Sequence, residues 1–243
     1  MPHFLIKTTD VSENKITISD KDLYKHIIKV MRTKCGERIL FLDENEIQYE
    51  TRISEIENNF FVCKIEKQYK SERKLSLNLY IAQSVLNSDA QTSAIQKATE
   101  LGVKGIIPLY TDNCAAKESV IKNKIEKWQK VAVESVKQCE RADIPSVFDM
   151  KKLEDVVKDY EQIIVFAERD AQSDFFTYAK ENKIDNTKPI LVIIGPEGGF
   201  SQKEFDFFKE KNIPLITLGN LIYRADTALT AALTTVINGV FYA

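Results

Sequence analysis

The chain has 243 residues, of which 44% are hydrophobic and 29% are charged, and its formal net charge is −2. This composition is typical of a soluble globular protein with one large or two small domains. No apolar stretch approaches the roughly 20 residues of a membrane span and the N-terminus lacks a signal-peptide core, so we expect no membrane segment and a cytoplasmic location.

Cysteine and histidine usage excludes several kinds of site. The four cysteines are scattered without a C-x2-C spacing, and the chain has only two histidines. We therefore predict no metal site and no histidine-based catalytic triad, and we interpret the cysteines as reduced thiols. The slightly acidic balance counts mildly against nucleic-acid binding, for which a basic domain is the usual signature, unless a local basic patch exists.

Residues 1–73 alternate short strand-like segments with one helix. Between the strands, the spacing of Leu23, Ile27 and Val30 predicts a helix over Asp20 to Met31 with one apolar face. Several short strands separated by turns indicate a small barrel. The predicted strands are Phe4–Ile6, Lys15–Ile18, Arg38–Leu42, Ile47–Ile53 and Phe60–Ile65.

The same helix carries a basic stripe. Lys25, Lys29 and Arg32 recur at i, i+4 and i+7, away from the apolar face, and Lys34 follows. Such a stripe is able to contact phosphates, although most charge runs on helices are simply solvated faces. By themselves these residues favour the solvated face.

Charged Lys70 to Lys74 reads as a linker, after which the pattern changes to strands alternating with helices over residues 74–243. This alternation predicts a largely parallel sheet covered on both faces. The predicted strands are Leu75–Ala82, Gly105–Tyr110, Gln162–Ala167, Ile190–Ile194 and Leu215–Leu218. The predicted helices are Asp89–Leu101, Ile121–Cys139, Ser173–Asn182, Gln202–Lys211 and Thr227–Phe241.

A glycine-rich turn follows the fourth of these strands. Gly195-Pro196-Glu197-Gly198-Gly199-Phe200 separates the apolar run Ile190–Ile194 from Ser201-x-x-Glu204, a capping box that begins a helix. Ligands of open α/β sheets bind at the carboxyl ends of the strands, and glycines let the backbone approach them. The turn is neither a dinucleotide fingerprint nor a P-loop, and an ordinary strand-to-helix turn is the alternative.

Four blocks of sequence identify a family. Gly-Pro-Glu-Gly-Gly-Phe-Ser-x-x-Glu at Gly195 resembles the signature of the uridine-N3 methyltransferases of 16S ribosomal RNA (the RsmE family, SPOUT superfamily). Three further segments are similar to that family in the same order along the chain: Ile95–Val103, the Trp128…Glu134…Gln138…Arg141…Pro145 pattern, and Leu218–Ala228. His26-x3-Val30-Met31-Arg32-x-Lys34 is similar to its N-terminal domain.

The resemblance implies a fold, a cofactor and partners. It implies a SPOUT-type trefoil-knotted parallel-sheet domain (74–243) preceded by a small PUA-like β-barrel RNA-binding domain (1–73). It further implies binding of S-adenosyl-L-methionine, methylation of N3 of a uridine in 16S rRNA of the 30S subunit, and a homodimer. It also favours an RNA-facing role for Lys25, Lys29, Arg32 and Lys34, and for Arg141.

The resemblance also implies site residues. Arg224 is the candidate catalytic group, because a guanidinium stabilises negative charge developing on the uracil ring; the alternative is a structural ion pair with Asp226 or Glu197. Glu197 is able to bind the ribose, orient Arg224 or hold its own loop. The candidate cofactor-binding residues are Ile194, Gly195, Pro196, Glu197, Gly198, Gly199, Leu218, Gly219, Asn220, Tyr223, Arg224, Ala225 and Thr227.

The chain departs from the family pattern in several places, most of them where the family has arginine or lysine. Loss of those cations affects RNA affinity more than cofactor binding. The alternatives are therefore a non-catalytic RNA-binding or ribosome-assembly factor that retains the fold, or a SPOUT enzyme of another RNA position. The departures are Leu221, Asp226, Asn87-Ser88, Thr111 to Cys114 and Pro2-His3-Phe4.

Overall fold

The computed structural model describes residues 3–182 and 184–242, and they form two compact units. The first unit contains the chain up to Lys74 together with Val136–Asp143, and the second contains Leu75–Ser135 and the chain from Ile144 onward. The predicted domain boundary after residue 73 lies one residue from the boundary between the two units, which follows Lys74. The return of residues 136–143 to the first unit has no counterpart in the sequence pattern.

Six strands form one mixed sheet in the first unit, in the order β1-β4-β5-β6-β3-β2. Neighbouring strands are antiparallel except β1 and β4, which are parallel. The aromatic and aliphatic side chains of one face enclose a core that includes Phe41, Phe61 and Ile27. The small β domain is therefore confirmed. The strands are β1 (His3–Leu5), β2 (Val11–Ser12), β3 (Lys15–Ile18), β4 (Arg38–Leu42), β5 (Ile47–Ile56) and β6 (Phe61–Lys70).

The helix of this unit differs from its prediction. It begins as α1 (Lys21–Tyr24), capped by the Asp20 carboxylate, which accepts from the Leu23 N–H at 2.8 Å, and continues as a π-helix over Lys25–Val30. The wider π-turn rotates later residues relative to an α-helix. Ile27 is consequently buried whereas Val30 is 63% exposed, so the placement of Val30 on the apolar face was wrong.

The charged segment at the boundary is anchored. The Ser71 N–H donates to the Glu46 carbonyl at 2.9 Å, and Lys74 forms an ion pair with the Glu46 carboxylate. Arg73 pairs with Glu140 of the returning segment. These contacts lie within the first unit, so the segment interpreted as a linker has fixed partners.

A parallel sheet organises the second unit. Its order is β10-β8-β7-β13-β11-β14-β12, with the short β9 beside β8, and every recorded pairing is parallel. This confirms the predicted parallel α/β domain. The strands are β7 (Leu79–Ser84), β8 (Gly105–Tyr110), β9 (Ser146–Val147), β10 (Lys151–Lys152), β11 (Gln162–Phe166), β12 (Ser173–Asp174), β13 (Ile190–Ile194) and β14 (Leu215–Thr217).

Helices pack against both faces of this sheet, because β7, β8 and β13 are apolar on both sides. The predicted helix Ile121–Cys139 is two helices, interrupted at residues 123–124. The predicted helix at Ser173 begins two residues later, because Ser173-Asp174 pairs with β14 and the Asp174 carboxylate caps the helix. The helices are α2 (Ser88–Glu100), α3 (Glu118–Lys122), α4 (Ile125–Cys139), α5 (Leu153–Val156), α6 (Phe175–Glu181), α7 (Gln202–Glu210) and α8 (Ala225–Tyr242).

Candidate functional site

A cavity of about 1150 Å³ lies at the carboxyl ends of the parallel strands. Four segments line it, and they follow β7, β11, β13 and β14 respectively. Ligands of open α/β sheets bind at this edge, where the strand order reverses. The volume slightly exceeds the roughly 300–1,000 Å³ that is usual for small-molecule pockets.

The sequence predicted part of the cavity wall. All but two of the candidate cofactor-binding residues line the cavity; Asn220 and Thr227 are the exceptions. Sequence reasoning missed two of the four segments. They contain Asp89, Ala90 and Ser93 after β7, and Ala167, Glu168, Arg169 and Asp170 after β11. Both follow predicted strands, so the rule that parallel strands bind ligands at their carboxyl ends was the signal that could have found them.

The glycine loop, defined here as residues 195–201, is held in a closed turn. The Gly199 N–H donates to the Pro196 carbonyl at 3.0 Å, with Gly199 at φ +71°, in the region that favours glycine. The predicted capping box is present: the Ser201 N–H donates to the Glu204 carboxylate at 2.8 Å, and the Glu204 N–H to the Ser201 hydroxyl at 3.3 Å. The backbone therefore presents a rigid surface to the cavity.

Glu197 holds the segment after β7. Its Oε1 accepts from the Asn87 backbone N–H at 3.1 Å and from the Asn87 side-chain amide at 2.9 Å. The Asn87 side chain also caps α2, since its Oδ1 accepts from the Ala90 N–H at 3.3 Å. Three roles were open to Glu197, and these hydrogen bonds to Asn87 fit the one in which it holds its own loop.

Asp226 and Arg224 have different environments. Asp226 accepts from the Lys97 ammonium at 3.0 Å, and this hydrogen bond lowers the pKa of the Asp226 carboxyl. Arg224 is exposed at the cavity, and no ion-pair partner for its guanidinium is found in the part of the chain that the structure describes. The structural ion pair of Arg224 with Asp226 or Glu197 is absent there.

The candidate RNA-binding residues fall into two groups. Lys25, Lys29, Arg32 and Lys34 are all exposed, although Arg32 has φ +57° and lies beyond the helix, so the i+7 position on the helix face was wrong. Arg141 is only 4% exposed, and its Nε and Nη2 donate to the Asp143 carboxylate at 2.8 and 3.0 Å. Burial and this pairing remove Arg141 from the surface available to RNA, which corrects that prediction.

The other departures from the family pattern lie in different environments. His3 is buried in β1, and burial lowers the pKa of its imidazole, so it does not replace an exposed arginine; Pro2 lies outside the described residues. Thr111 hydrogen-bonds the Ser84 hydroxyl, and its neighbours Asp112 and Asn113 contact the glycine loop. Leu221 is 70% exposed beside the cavity.

Neither a metal-binding cluster nor a membrane-spanning helix is found within residues 3–182 and 184–242. No cluster of three or more histidine, cysteine or acidic side chains is arranged to hold a metal ion. No helix in these ranges is long and apolar enough to cross a membrane.

Comparison with known proteins shows the family to which the chain belongs. The family model for an RNA methyltransferase domain matches residues 73–237, and that for an RNA methyltransferase PUA domain matches residues 18–66. The "Ribosomal RNA small subunit methyltransferase E" of Mesomycoplasma hyopneumoniae is 30% identical over 211 residues, covering 85% of this chain and 88% of that protein. The chain belongs to the ribosomal RNA small subunit methyltransferase E family.

Other methyltransferases resemble the chain in sequence or in fold. The Bacillus subtilis methyltransferase E is 26% identical over 218 residues, 87% of this chain and 85% of its own length. The Neisseria gonorrhoeae enzyme, solved with S-adenosyl methionine, has a TM-score of 0.82 at 21% identity and covers 97% and 96% of the two chains. A Legionella pneumophila methyltransferase with the same cofactor has a TM-score of 0.81 at 21% identity and covers 98% of each chain. The chain therefore has the SPOUT-type fold of the family.

Proposed function

We propose that this family member transfers the methyl group of S-adenosylmethionine to N3 of a uridine in the 16S rRNA of the small ribosomal subunit. The observation that carries the proposal is the cavity in which the glycine loop and the segment before α8 meet, with Arg224, which has no ion-pair partner among the described residues, on its wall. Relatives that match most of the chain are named as methyltransferases of small-subunit ribosomal RNA.

The cavity has the chemistry that the cofactor requires. Its wall is formed by the backbone of Gly195–Gly199 and of Leu218-Gly219, and a Cβ added at Gly199 or Gly219 would meet no atom within 4 Å. Open space beside glycine backbone allows a ligand to approach the peptide groups and to be recognised by them. When bound, S-adenosylmethionine supplies an electrophilic methyl group on a sulfonium.

The protein's remaining task is to position and activate the base. N3 lies on the Watson–Crick edge of uracil, so the nucleotide must be unpaired and held with N3 in line with the methyl carbon. Loss of the N3 proton leaves negative charge on the ring. The Arg224 guanidinium, free of any carboxylate among the described residues, is placed to stabilise that charge.

The first unit supplies RNA contacts in this proposal. Lys25, Lys29, Arg32 and Lys34 are exposed cations within one short stretch, suited to phosphate contacts that position RNA without reading its sequence. The PUA-domain match covers all four of these residues.

The finer features of the family belong to the same proposal. We infer that the segments forming the cavity are those of a trefoil knot and that the enzyme is a homodimer acting in the cytoplasm during ribosome biogenesis. The exposed Leu221 and Ile222, 70% and 78% accessible, support a partner surface beside the cavity.

Calorimetric titration with S-adenosylmethionine and S-adenosylhomocysteine tests the cofactor step. We expect saturable binding with one site per chain or per dimer. Incubation of the protein and S-adenosylmethionine with 30S subunits lacking the modification tests the transfer step. N3 methylation blocks Watson–Crick pairing, so it should appear as a new reverse-transcription stop at a single uridine.

Three other outcomes would each point elsewhere. Binding without any new stop would favour a different RNA position or substrate. Absence of cofactor binding, even with 30S subunits present, would contradict the methyltransferase proposal and favour an RNA-binding assembly factor. A stop produced equally without cofactor would show that the signal is not methylation.

A further inference from the structure

The glycine loop is fastened by its neighbours in the sheet. The Gln83 side-chain amide, at the end of β7, donates to the Gly195 carbonyl at 3.1 Å. Asn87, in the following segment, holds Glu197. The other end of the loop contacts the β8 loop, defined here as Thr111–Cys114. Since β7 lies between β8 and β13, the glycine loop spans the end of β7 to reach the β8 loop.

We propose that Asn113 is a positioning residue that keeps the glycine loop in its cofactor-binding shape. This inference rests on the proposed function, because it assigns a role within the same cavity. The Asn113 side-chain amide donates to the Gly199 carbonyl at 3.0 Å. A Cβ built on Gly198 would lie 3.3 Å from the Asn113 Cβ, so the two segments pack closely at this point.

Asp112 and Asn113 have separate tasks. The Asp112 carboxylate accepts from the Ser201 hydroxyl at 2.6 Å, and its backbone N–H donates to the Glu204 carboxylate at 3.0 Å. Asp112 therefore fixes the beginning of α7. Asn113 instead donates a hydrogen bond to the Gly199 carbonyl, which lies inside the turn before α7 begins.

The glycines make this bond important for binding. Gly198 and Gly199 have no side chain to limit their backbone, so an unfastened turn would sample many conformations. Ordering such a turn on ligand binding costs affinity, whereas a turn that is already ordered does not. Asn113 therefore acts on cofactor affinity through the loop. Its own exposure, outside the hydrophobic core, means that it contributes little to folding.

The substitution Asn113→Asp tests this role with almost no change of size. It replaces the amide donor by a carboxylate, which repels the Gly199 carbonyl. Asn123→Asp is the matched control, because Asn123 is an exposed asparagine of the same unit in the turn between α3 and α4. Asn113→Gln is the rescue variant, since it retains the amide donor.

Two readouts are measured on the full chain. The first is hydrogen exchange of residues 195–201 without ligand, where the Gly199 N–H is protected by its bond to Pro196. The second is the dissociation constant for S-adenosylmethionine. For Asn113→Asp we expect faster exchange confined to the glycine loop and affinity weakened about fivefold, the factor that a hydrogen bond worth about 1 kcal/mol supplies. The control should match the parent, and Asn113→Gln should recover part of the affinity.

Unchanged loop exchange together with unchanged affinity would overturn the proposal. Faster exchange throughout the second unit, with a lowered unfolding midpoint, would also overturn it, because Asn113 would then serve folding in general. If the parent protein failed to bind S-adenosylmethionine, the proposed function would be contradicted. Hydrogen exchange of the glycine loop in Asn113→Asp and Asn123→Asp would then still test whether Asn113 holds the loop.

Discussion

Arg224 lies near two carboxylates, Glu197 and Asp226, that have other partners. Glu197 accepts from Asn87 and Asp226 from Lys97, so the two carboxylates that could neutralise Arg224 have other partners. The guanidinium is consequently available to a ligand in the cavity. Among the described residues, this arrangement speaks against the ion-pair interpretation that the sequence left open, and the catalytic role of Arg224 stays a prediction.

We expect Arg224→Ala to abolish methyl transfer while leaving S-adenosylmethionine affinity largely intact. Removal of one preorganised charge-stabilising group typically lowers kcat by about 10²- to 10³-fold. Arg224→Lys retains the charge but not the planar fork, so it should recover only part of the rate. Single-turnover kinetics on 30S subunits provides the measurement, and turnover equal to the parent would rule out a catalytic role.

The Lys97–Asp226 pair gives a pH-dependent contribution to stability. Because the hydrogen bond from Lys97 lowers the folded-state pKa of Asp226, the pair stabilises the fold above the unfolded-state pKa, and this is lost as pH falls through the folded-state value. Lys97→Met should therefore lower stability near pH 7 by less than about 1 kcal/mol, since the pair is partly exposed.

Urea denaturation of the Lys97→Met variant and the parent, at pH 7 and in steps below pH 4, checks this expectation. The difference in unfolding free energy should shrink as the pH falls. Lys203→Met is the control, because Lys203 is exposed and has no ion pair within the described ranges. A difference that stayed constant with pH would show that Lys97 acts through packing of its stem.

At the scale of elements, the glycine loop depends on close contact with the β8 loop. Gly198 has an ordinary backbone conformation, so a side chain there is limited by space and not by φ. Its added Cβ would lie 3.3 Å from the Asn113 Cβ, and Gly198 itself lines the cavity. A branched side chain must therefore displace the loop.

Gly198→Val should weaken S-adenosylmethionine binding strongly, and Gly198→Ala should weaken it less, because a single methyl requires a smaller shift. Overpacking of this kind typically costs about 1–3 kcal/mol. Calorimetry on both variants gives the comparison, with circular dichroism to establish that they fold. Equal affinity in the parent and the valine variant would mean that this loop does not form the pocket wall.

The π-helix of the first unit alters the basic stripe that the sequence predicted. Lys25 and Lys29 both lie on the π-helix, and the Lys29 ammonium lies 5.7 Å from the centre of the Tyr24 ring. Arg32 lies past the helix end. The four cations are exposed, but they do not share a single α-helical face.

Lys25→Ala and Lys29→Ala should each weaken RNA binding and reduce the salt dependence of affinity by about one phosphate contact. Lys21→Ala is the control, being an exposed lysine in the preceding turn. Filter binding to a 16S rRNA fragment at several salt concentrations measures the slope. A slope unchanged in both variants, or reduced equally in the control, would contradict a specific role for this stretch.

At the scale of the whole molecule, an apolar segment lies beside the proposed active site. Leu221, Ile222 and Tyr223 are exposed and all three line the cavity. In a homodimer such a segment would be covered by the second chain, which would place the cavity next to the interface.

We expect the protein to sediment as a dimer, and Ile222→Asp to shift it toward monomer, because an unpaired buried charge opposes association. Val120→Asp is the control, since Val120 is 42% exposed on α3, away from the cavity lining. Analytical ultracentrifugation over a concentration series separates the two forms. A parent protein that remained monomeric at high concentration would contradict the homodimer.

Features that depend on local pattern could be predicted from the amino-acid sequence. Apolar runs fixed β8 and β13 to the residue, because strands buried on both faces leave little freedom in their limits. The Ser201–Glu204 capping box placed the start of α7, and motif resemblance selected two of the four segments that line the cavity. These signals act over a few residues and need no knowledge of distant contacts.

Contacts between groups that are far apart along the chain could be seen only in the folded protein. The π-turn that exposes Val30, the burial of Arg141 against Asp143, and the pairing of Asp226 with Lys97 depend on packing and on contacts between residues that no periodicity encodes. The same holds for the contact of Asn113 with Gly199, which lies 86 residues further along the chain. Side-chain partners across a parallel sheet follow from strand order, and strand order is a property of the folded chain.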